Sequence, residues 1–438
     1  MSSTPRETWR RADRAVLRQH QLDRLNRLLC RVISDHPFYR EKYRGVDLPL
    51  ASLDDLRRLP LLEKRELIGL DGAATICGLP HERYVRMHQT SGTTGCPLRL
   101  FDTAEDWAWW LECWQYVLDA ADVTAADSAF LAFSYGPFIG FWTAHEALTA
   151  RGVMVIPGGG MDSRSRLQMI WTCEPTILCC TPTYALHLAG VAERMGKGLR
   201  GCAVTRIIVA GEPGGSIPEV RQRIETAWGA RLIDHAGATE LGAWGVGTPD
   251  GRGLRVTESE FIAETLLSDP ANPCGRPAAD GELAELVLTG LGRFGAPAIR
   301  YRTGDLVRTR CDDTSDNHFL VLEGGVIGRA DSMVVVRGVN VFPSSIESIV
   351  RRVAGDAEYR VIEQEQDSMT QLRVEIELEL EQGTDAHRVS ADLPTRLSAA
   401  FRENLGLRID VVGVAPATLP RFEAKARRWV REHELKPT

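Results

Sequence analysis

Near the C-terminal end, in QLRVEIELELE (371–381), Leu372, Val374, Ile376, Leu378 and Leu380 alternate with Arg373, Glu375, Glu377, Glu379 and Glu381. A period of two predicts a strand with one face buried and the other in water. Leu393, Leu397, Phe401 and Leu405 then recur every fourth residue, the stripe of an amphipathic helix, and RIDVVGV follows as another strand. These elements predict a small α+β domain over 331–438, with the boundary near GRADSM (328–333). At the other end, residues 9–44 read as helix, and SLDDLRRLP as a short helix capped by Ser52, with Asp55 in its first turn and Pro60 as its stop. From 128 to about 245, AFLAF, VMVIP, TILCC, RIIVA and RLIDH alternate with helical stretches, which predicts a largely parallel sheet covered by helices. Between 252 and 325 short strands such as ELAELVLTG and HFLVLEG lie between glycine-rich turns, a β-rich subdomain. The fold expected is therefore α/β: a large N-terminal domain (1–330) of α/β subdomains plus a β-rich subdomain, followed by a small α+β C-terminal domain.

Composition agrees and excludes some functions. A chain of 438 residues, 44% hydrophobic and 25% charged, is too long for one core. With 52 Lys and Arg against 59 Asp and Glu, the net charge is −7 and no long basic run is present, which argues against a nucleic-acid partner. MSSTPRETWRRADRAVLRQH lacks an apolar signal core, and the most apolar later stretch is broken by His145 and Glu146, so no membrane association and a cytoplasmic location are expected. The ten cysteines form no CxxC pair, and Cys179 and Cys180 sit in an apolar run that suits reduced core thiols. Cys274, Cys311 and His318 are irregularly spaced, and no structural zinc is expected.

HQTSGTTGCPLRL (88–100), just after the strand-like RYVRM, is built like a phosphate loop without a lysine. The spacing GxxxxGK[ST] is absent, which argues against a P-loop NTPase. What remains is a nest of backbone N–H groups allowed by Gly92 and Gly95 and supplemented by the hydroxyls of Ser91, Thr93 and Thr94. On its own such a run also fits a surface turn.

Three further segments follow in order: HAGATELG (235–242), YRTGDLV (301–307) and GRADSMVVVRGVNVFPSSIE (328–347), with a lysine later in LPRFEAKARRWV. Together they resemble the adenylate-forming superfamily that includes acyl-CoA synthetases, and most closely the phenylacetate-CoA ligase family. HPFYREKY, SLDDLRRLPLLEKREL, VMVIPGG, CTPTYAL and AGEPGGS extend the resemblance over almost the whole chain. It implies ATP, Mg²⁺ and CoA as reactants and cofactor. Glu240 would bind the magnesium and Thr239 would sit beside the α-phosphate. Asp305 would take the ribose hydroxyls, and Arg329 the ribose and phosphate region. Gly211 and Glu212 would form part of the adenine wall, and Asp234 and Gly237 would belong to the same nucleotide site. Lys425 would bridge the substrate carboxylate and the α-phosphate. The C-terminal domain would be mobile, rotating about Asp331 to bring Gly338 and the turn VVVRGVN beside a pantetheine arm. The residue pattern alone also allows a simple β-turn there, with SSIE as a capping box for the next helix.

By the same resemblance SYGPFIGFWTAH (134–145) lines the acyl pocket, with Tyr135, Phe138, Phe141, His145, Ala210 and Ala236 as substrate residues. Core aromatics are the alternative for these rings. Phe141, Glu146 and Ala236 stand where the family commonly has glycine, an aromatic and tyrosine. Those changes suggest a benzoate-type acid, amino- or hydroxy-substituted, although an arylacetate remains open. Three functions stay open: an aryl-CoA ligase, an aryl-acid adenylating enzyme that passes the acyl group to a carrier-protein pantetheine or another nucleophile, and a non-catalytic nucleotide-binding relative. The resemblance also allows a homodimer.

Overall fold

The computed structural model describes residues 4–69, 73–90, 97–140, 142–269, 272–310, 316–330, 334–336, 339–366, 369–378, 386–421 and 428–435. The helical stretch at 9–44 is divided into helices Pro5–Arg10, Arg14–Asp35 and Pro37–Lys42. Pro37 has no N–H to continue the helix before it but suits the first turn of the next. SLDDLRRLP forms a 3₁₀ helix, Leu53–Arg58, whose cap is closed by Ser52 N donating to Asp55 Oδ2 at 2.9 Å.

Five parallel strands run in the order Met154–Pro157, Ser128–Leu131, Ile177–Cys180, Arg206–Val209, Arg231–Ala238. Their residues alternate between two cores. Ile177, Cys179 and Ile208 face the larger cluster, whereas Leu178, Cys180, Ile207 and Val209 face a second cluster under helices Pro182–Arg194 and Pro218–Trp228. Period-two alternation with apolar residues on both faces is what a strand covered by helices on each side requires. The strand Arg231–Ala238 then turns back into the antiparallel strand Gly242–Gly247. From there the β-rich region continues the same hydrogen-bonded sheet through Gly253–Val256, Val321–Glu323, Tyr301–Arg310, Leu283–Gly290, Phe261–Asp269 and Asn272–Pro277. The two halves thus meet at the turn that carries Thr239 and Glu240. Gly242 closes that turn at φ +119°, a backbone angle that side chains disfavour.

The C-terminal residues form their own four-stranded sheet in the order Asp410–Val414, Met369–Glu377, Tyr359–Gln366, Trp429–Arg431. Leu372, Val374 and Ile376 of the alternating strand are buried, together with Leu397 and Phe401 of helix Ala386–Leu405. Leu380 lies outside the described residues. One expectation at SSIE is corrected. The helix there is Pro343–Ala354, capped by Phe342 without a side-chain bond, because Pro343 starts the helix before Ser344 can cap it. Ser344 Oγ instead donates to Ile327 O, and Glu347 accepts from Arg351 at 2.5 Å. VVVRGVN forms the strand pair Val334–Val336 and Val339–Val341. The two parts of the chain touch where Ser348 Oγ donates to Glu219 Oε2 at 3.0 Å and Arg223 Nη1 donates to Gly355 O at 2.9 Å. Arg223 also pairs with the Asp356 carboxylate. Among the described residues no helix is long and apolar enough to cross a membrane.

Candidate active site

A cleft of about 1680 Å³ opens at the junction of the parallel and antiparallel halves. Loops after the C-terminal ends of parallel strands are where open α/β sheets build ligand sites. Here those loops supply Thr181 to Thr183 after Ile177–Cys180, Ala210 to Glu212 after Arg206–Val209, and Thr239 and Glu240 after Arg231–Ala238. The cleft therefore gathers Ala210, Gly211 and Glu212 from one of these loops, Asp234, Ala236 and Gly237 from strand Arg231–Ala238, Thr239 and Glu240 from the turn after it, and Asp305 and Arg329 from the antiparallel side.

Local geometry fixes each group. Asp305 and Arg329 are cross-strand partners, with Arg329 Nη1 donating to Thr303 O at 3.1 Å and to Asp305 Oδ1 at 3.2 Å. Gly304 sits at φ +74°, a conformation that favours glycine, and a Cβ there would meet the end of the Arg329 side chain at 2.8 Å. Glu212 Oε1 accepts from Thr183 N at 2.8 Å, tying two of the loops together. Asp234 Oδ2 accepts from Ser216 Oγ at 2.5 Å, and burial pushes its carboxyl above the usual range. Glu240 is 6% exposed yet faces the cleft, with Tyr301 Oη donating to Oε1 at 3.4 Å and Lys64 Nζ lying 3.5 Å from the same oxygen. Burial pushes the Tyr301 phenol upward, so it remains a donor at neutral pH.

The turn bearing Thr239 and Glu240 is itself held from behind. Arg293 Nη1 donates to Thr239 O at 2.8 Å and Glu240 O at 3.2 Å, while its Nε donates to Asp102 Oδ1 at 2.7 Å. Both side chains are almost fully buried, and the guanidinium lies 4.9 Å from the Trp110 ring centre. Asp102 belongs to strand Arg99–Thr103, which leads out of the 88–100 loop, so one guanidinium joins two candidate phosphate segments. The loop's ends are pinned where Thr90 N donates to Leu98 O at 2.9 Å. Ser91, Gly92, Thr93, Thr94 and Gly95 lie outside the described residues, as do Phe141, Asp331, Gly338 and Lys425.

The apolar end of the cleft is walled by Trp110, Trp114, Trp244, Phe133 and Ile139, with Phe138 half exposed at its rim. Tyr135 and His145, expected among the substrate residues, do not line it. Tyr135 folds against Trp142 at 4.7 Å and His145 at 6.0 Å between ring centres, and Gly159 leaves the space its ring fills. Sequence reasoning missed Lys64, Trp110, Trp114, Trp244, His235, Asp102 and Arg293. Only Trp110 and Trp114 carried a local signal: they are spaced i, i+4 in helix Ala104–Ala120 and so share a face.

Comparison with known proteins agrees with this geometry. The family of AMP-binding enzyme C-terminal domains matches residues 338–432. The phenylacetate-coenzyme A ligase of Pseudomonas putida is 32% identical over 421 residues, covering 94% of this chain and 93% of that protein. Its Escherichia coli counterpart is 31% identical over 419 residues, covering 93% of each. Among solved structures, 2-hydroxyisobutyryl-CoA ligase in the postadenylation state, in complex with R3-HIB-AMP, superposes with a TM-score of 0.89 at 26% identity, covering 99% of this chain and 94% of that one. The same ligase in the thioesterification state gives a TM-score of 0.69 at 27% identity, covering 97% of this chain and 92% of that one. Fold and site thus define an adenylate-forming enzyme, an AMP-forming acid–thiol ligase. Within that class the chain belongs to the phenylacetate-CoA ligase family.

Proposed function

We propose that the protein is an ATP-dependent aryl carboxylate-CoA ligase, acting on a single-ring aromatic acid of the benzoate or arylacetate type. The observation that carries this reading is the single cleft in which Thr239, Glu240, Asp305 and Arg329 face an apolar end walled by three tryptophans. In the first half-reaction an acid oxygen attacks the α-phosphorus of ATP, the bond to the bridging oxygen breaks, and pyrophosphate leaves. In the second, a thiol attacks the acyl carbon, its proton is lost, and AMP departs. Both steps depend on positioning and charge stabilisation.

Asp305 is an acceptor-only carboxylate and suits the two ribose hydroxyls. Arg329 presents a guanidinium to the ribose and phosphate region, and Glu212 and Gly211 wall the base, beside Asp234 and Gly237. Thr239 would donate to the α-phosphate. Glu240 is a single carboxylate opening on a phosphate site, which with phosphate oxygens is a donor set suited to Mg²⁺. When bound, the ion would neutralise charge on the departing pyrophosphate. Lys64 brings a cation to the same place from the N-terminal segment, compensating for the lysine that the 88–100 loop lacks. Lys425 would bridge carboxylate and α-phosphate from a small domain beginning after Ala330. Asp331 would be its hinge, and Gly338 the point where pantetheine passes.

The names of the relatives favour CoA over a carrier protein as acceptor, and a reaction consuming ATP and CoA suits the cytoplasm. The test is mass spectrometry of products from ATP, magnesium and a panel of benzoates and arylacetates, with and without CoA. An aryl-CoA with stoichiometric AMP is expected. Acid-dependent AMP without thioester would move the acceptor to another nucleophile. Lys425→Ala should lower the adenylation rate by at least about a hundredfold, the scale of a lost charge-stabilising donor.

A further inference from the structure

His235 belongs to strand Arg231–Ala238, at most about 13 Å of extended chain before Thr239. It lines the cleft while only 7% exposed, and its ring packs edge-on against Trp114 at 4.6 Å between centres. It therefore lies at the tryptophan-walled end, within reach of a single ring whose carboxyl points to Thr239. Its Nδ1 is 2.9 Å from Gly245 O. A carbonyl oxygen only accepts, so Nδ1 carries the hydrogen and, in the neutral ring, Nε2 is a bare acceptor. Burial keeps the ring neutral, lowering its pKa to about 4. Among the described residues no donor reaches Nε2. A Cβ on residue 237 would stand 3.4 Å from it, and Gly237 leaves that approach open.

We propose that His235 selects aromatic acids bearing a hydroxyl or amino group on the ring, with Nε2 accepting that group's hydrogen. This rests on the aryl-acid reading and narrows its substrate class. An acid with the donor satisfies a buried acceptor, whereas benzoate or phenylacetate displaces water from it and offers nothing in return. Sites built to hydrogen-bond one substrate group reject the analogue without it far more strongly than apolar pockets reject a missing methylene. Trp114, packed against the His235 ring, carries an indole N–H and no acceptor that would compete for the donor.

The test is kcat/KM for acid-dependent pyrophosphate release with hydroxy- and aminobenzoates, against benzoate, phenylacetate and the matching methoxybenzoates. At least one donor-bearing acid is expected to exceed its donor-free counterparts by about a hundredfold or more. In His235→Phe that ratio should fall to within about fivefold with KM for ATP unchanged. His235→Gln, which keeps an acceptor, should retain part of it. Donor-bearing and donor-free acids reacting equally well in the wild-type enzyme would overturn the inference while leaving the ligase intact, and that comparison stands even if His235→Phe does not fold. Absence of pyrophosphate release with every aromatic acid would overturn the aryl-acid reading, and this inference with it.

Discussion

Arg293 is the residue on which the most geometry depends. Its guanidinium fixes two carbonyls of the turn that presents Thr239 and Glu240, and it is neutralised by Asp102 in an interior with almost no exposure. Removing one member of a buried pair leaves a charge without compensation and typically costs about 3–5 kcal/mol. Arg293→Met is therefore expected to lower unfolding stability by about that amount in a denaturant titration. Arg293→Lys keeps the charge but loses the planar fork that spans Asp102 and both carbonyls. It should fold, hold KM for the acid nearly constant and lower kcat for adenylation by about tenfold or more. A purely structural role would leave kcat unchanged in every variant that folds. The residues proposed to contact ATP stood out in the sequence because their chemistry comes in short contiguous motifs, GATE and YRTGD. Arg293 and Asp102 did not, because they meet only across 191 positions of chain. Lys64 and His235 illustrate the same limit: each lay inside a quoted motif, but its orientation toward the cleft is a tertiary fact.

At the scale of elements, the periodic signals carried well. Parallel strands buried on both faces read as continuous apolar runs, and the one-sided strand Met369–Glu377 reads as alternation. The sequence was less informative where the backbone, not the side-chain pattern, decides. Pro37 divides a helical stretch that polarity alone would run together, and Pro343 starts a helix before the serine that pattern would make its cap. The β-rich strands looked like a subdomain because their glycine-rich turns differ from the preceding segments. Their edge pairing with the parallel half could only be seen once Arg231–Ala238 and Gly242–Gly247 were set side by side. That pairing places the candidate site, since the turn at the junction carries Thr239 and Glu240 into the cleft. Tyr135 and His145 were displaced from the expected pocket for a related reason: the chain after Ser128–Leu131 leaves the sheet, so strand alternation no longer tells which ring points inward.

At the scale of the molecule, the arrangement of the two parts superposes more closely on the postadenylation form than on the thioesterification form of one ligase. Glu219 and Arg223 of helix Pro218–Trp228 hold Ser348, Gly355 and Asp356 in that arrangement. Burial, with the Arg351 and Arg428 guanidiniums nearby, lowers Arg223 to about 10, which still leaves it charged at neutral pH. Arg223→Ala is expected to slow acid-dependent pyrophosphate release by about fivefold, the scale of one or two lost hydrogen bonds, and to leave aryl-CoA formation from supplied aryl-adenylate unchanged. Equal slowing of both half-reactions would refute the contact as specific to adenylation. The central claim is attack of an acid oxygen on the α-phosphorus of ATP, and an isotope measures it directly. With an aromatic acid labelled with oxygen-18 in its carboxyl group, one labelled oxygen should appear in AMP and none in pyrophosphate, with the rest retained in the thioester. Label in pyrophosphate or inorganic phosphate, or thioester formation with unlabelled AMP, would contradict it.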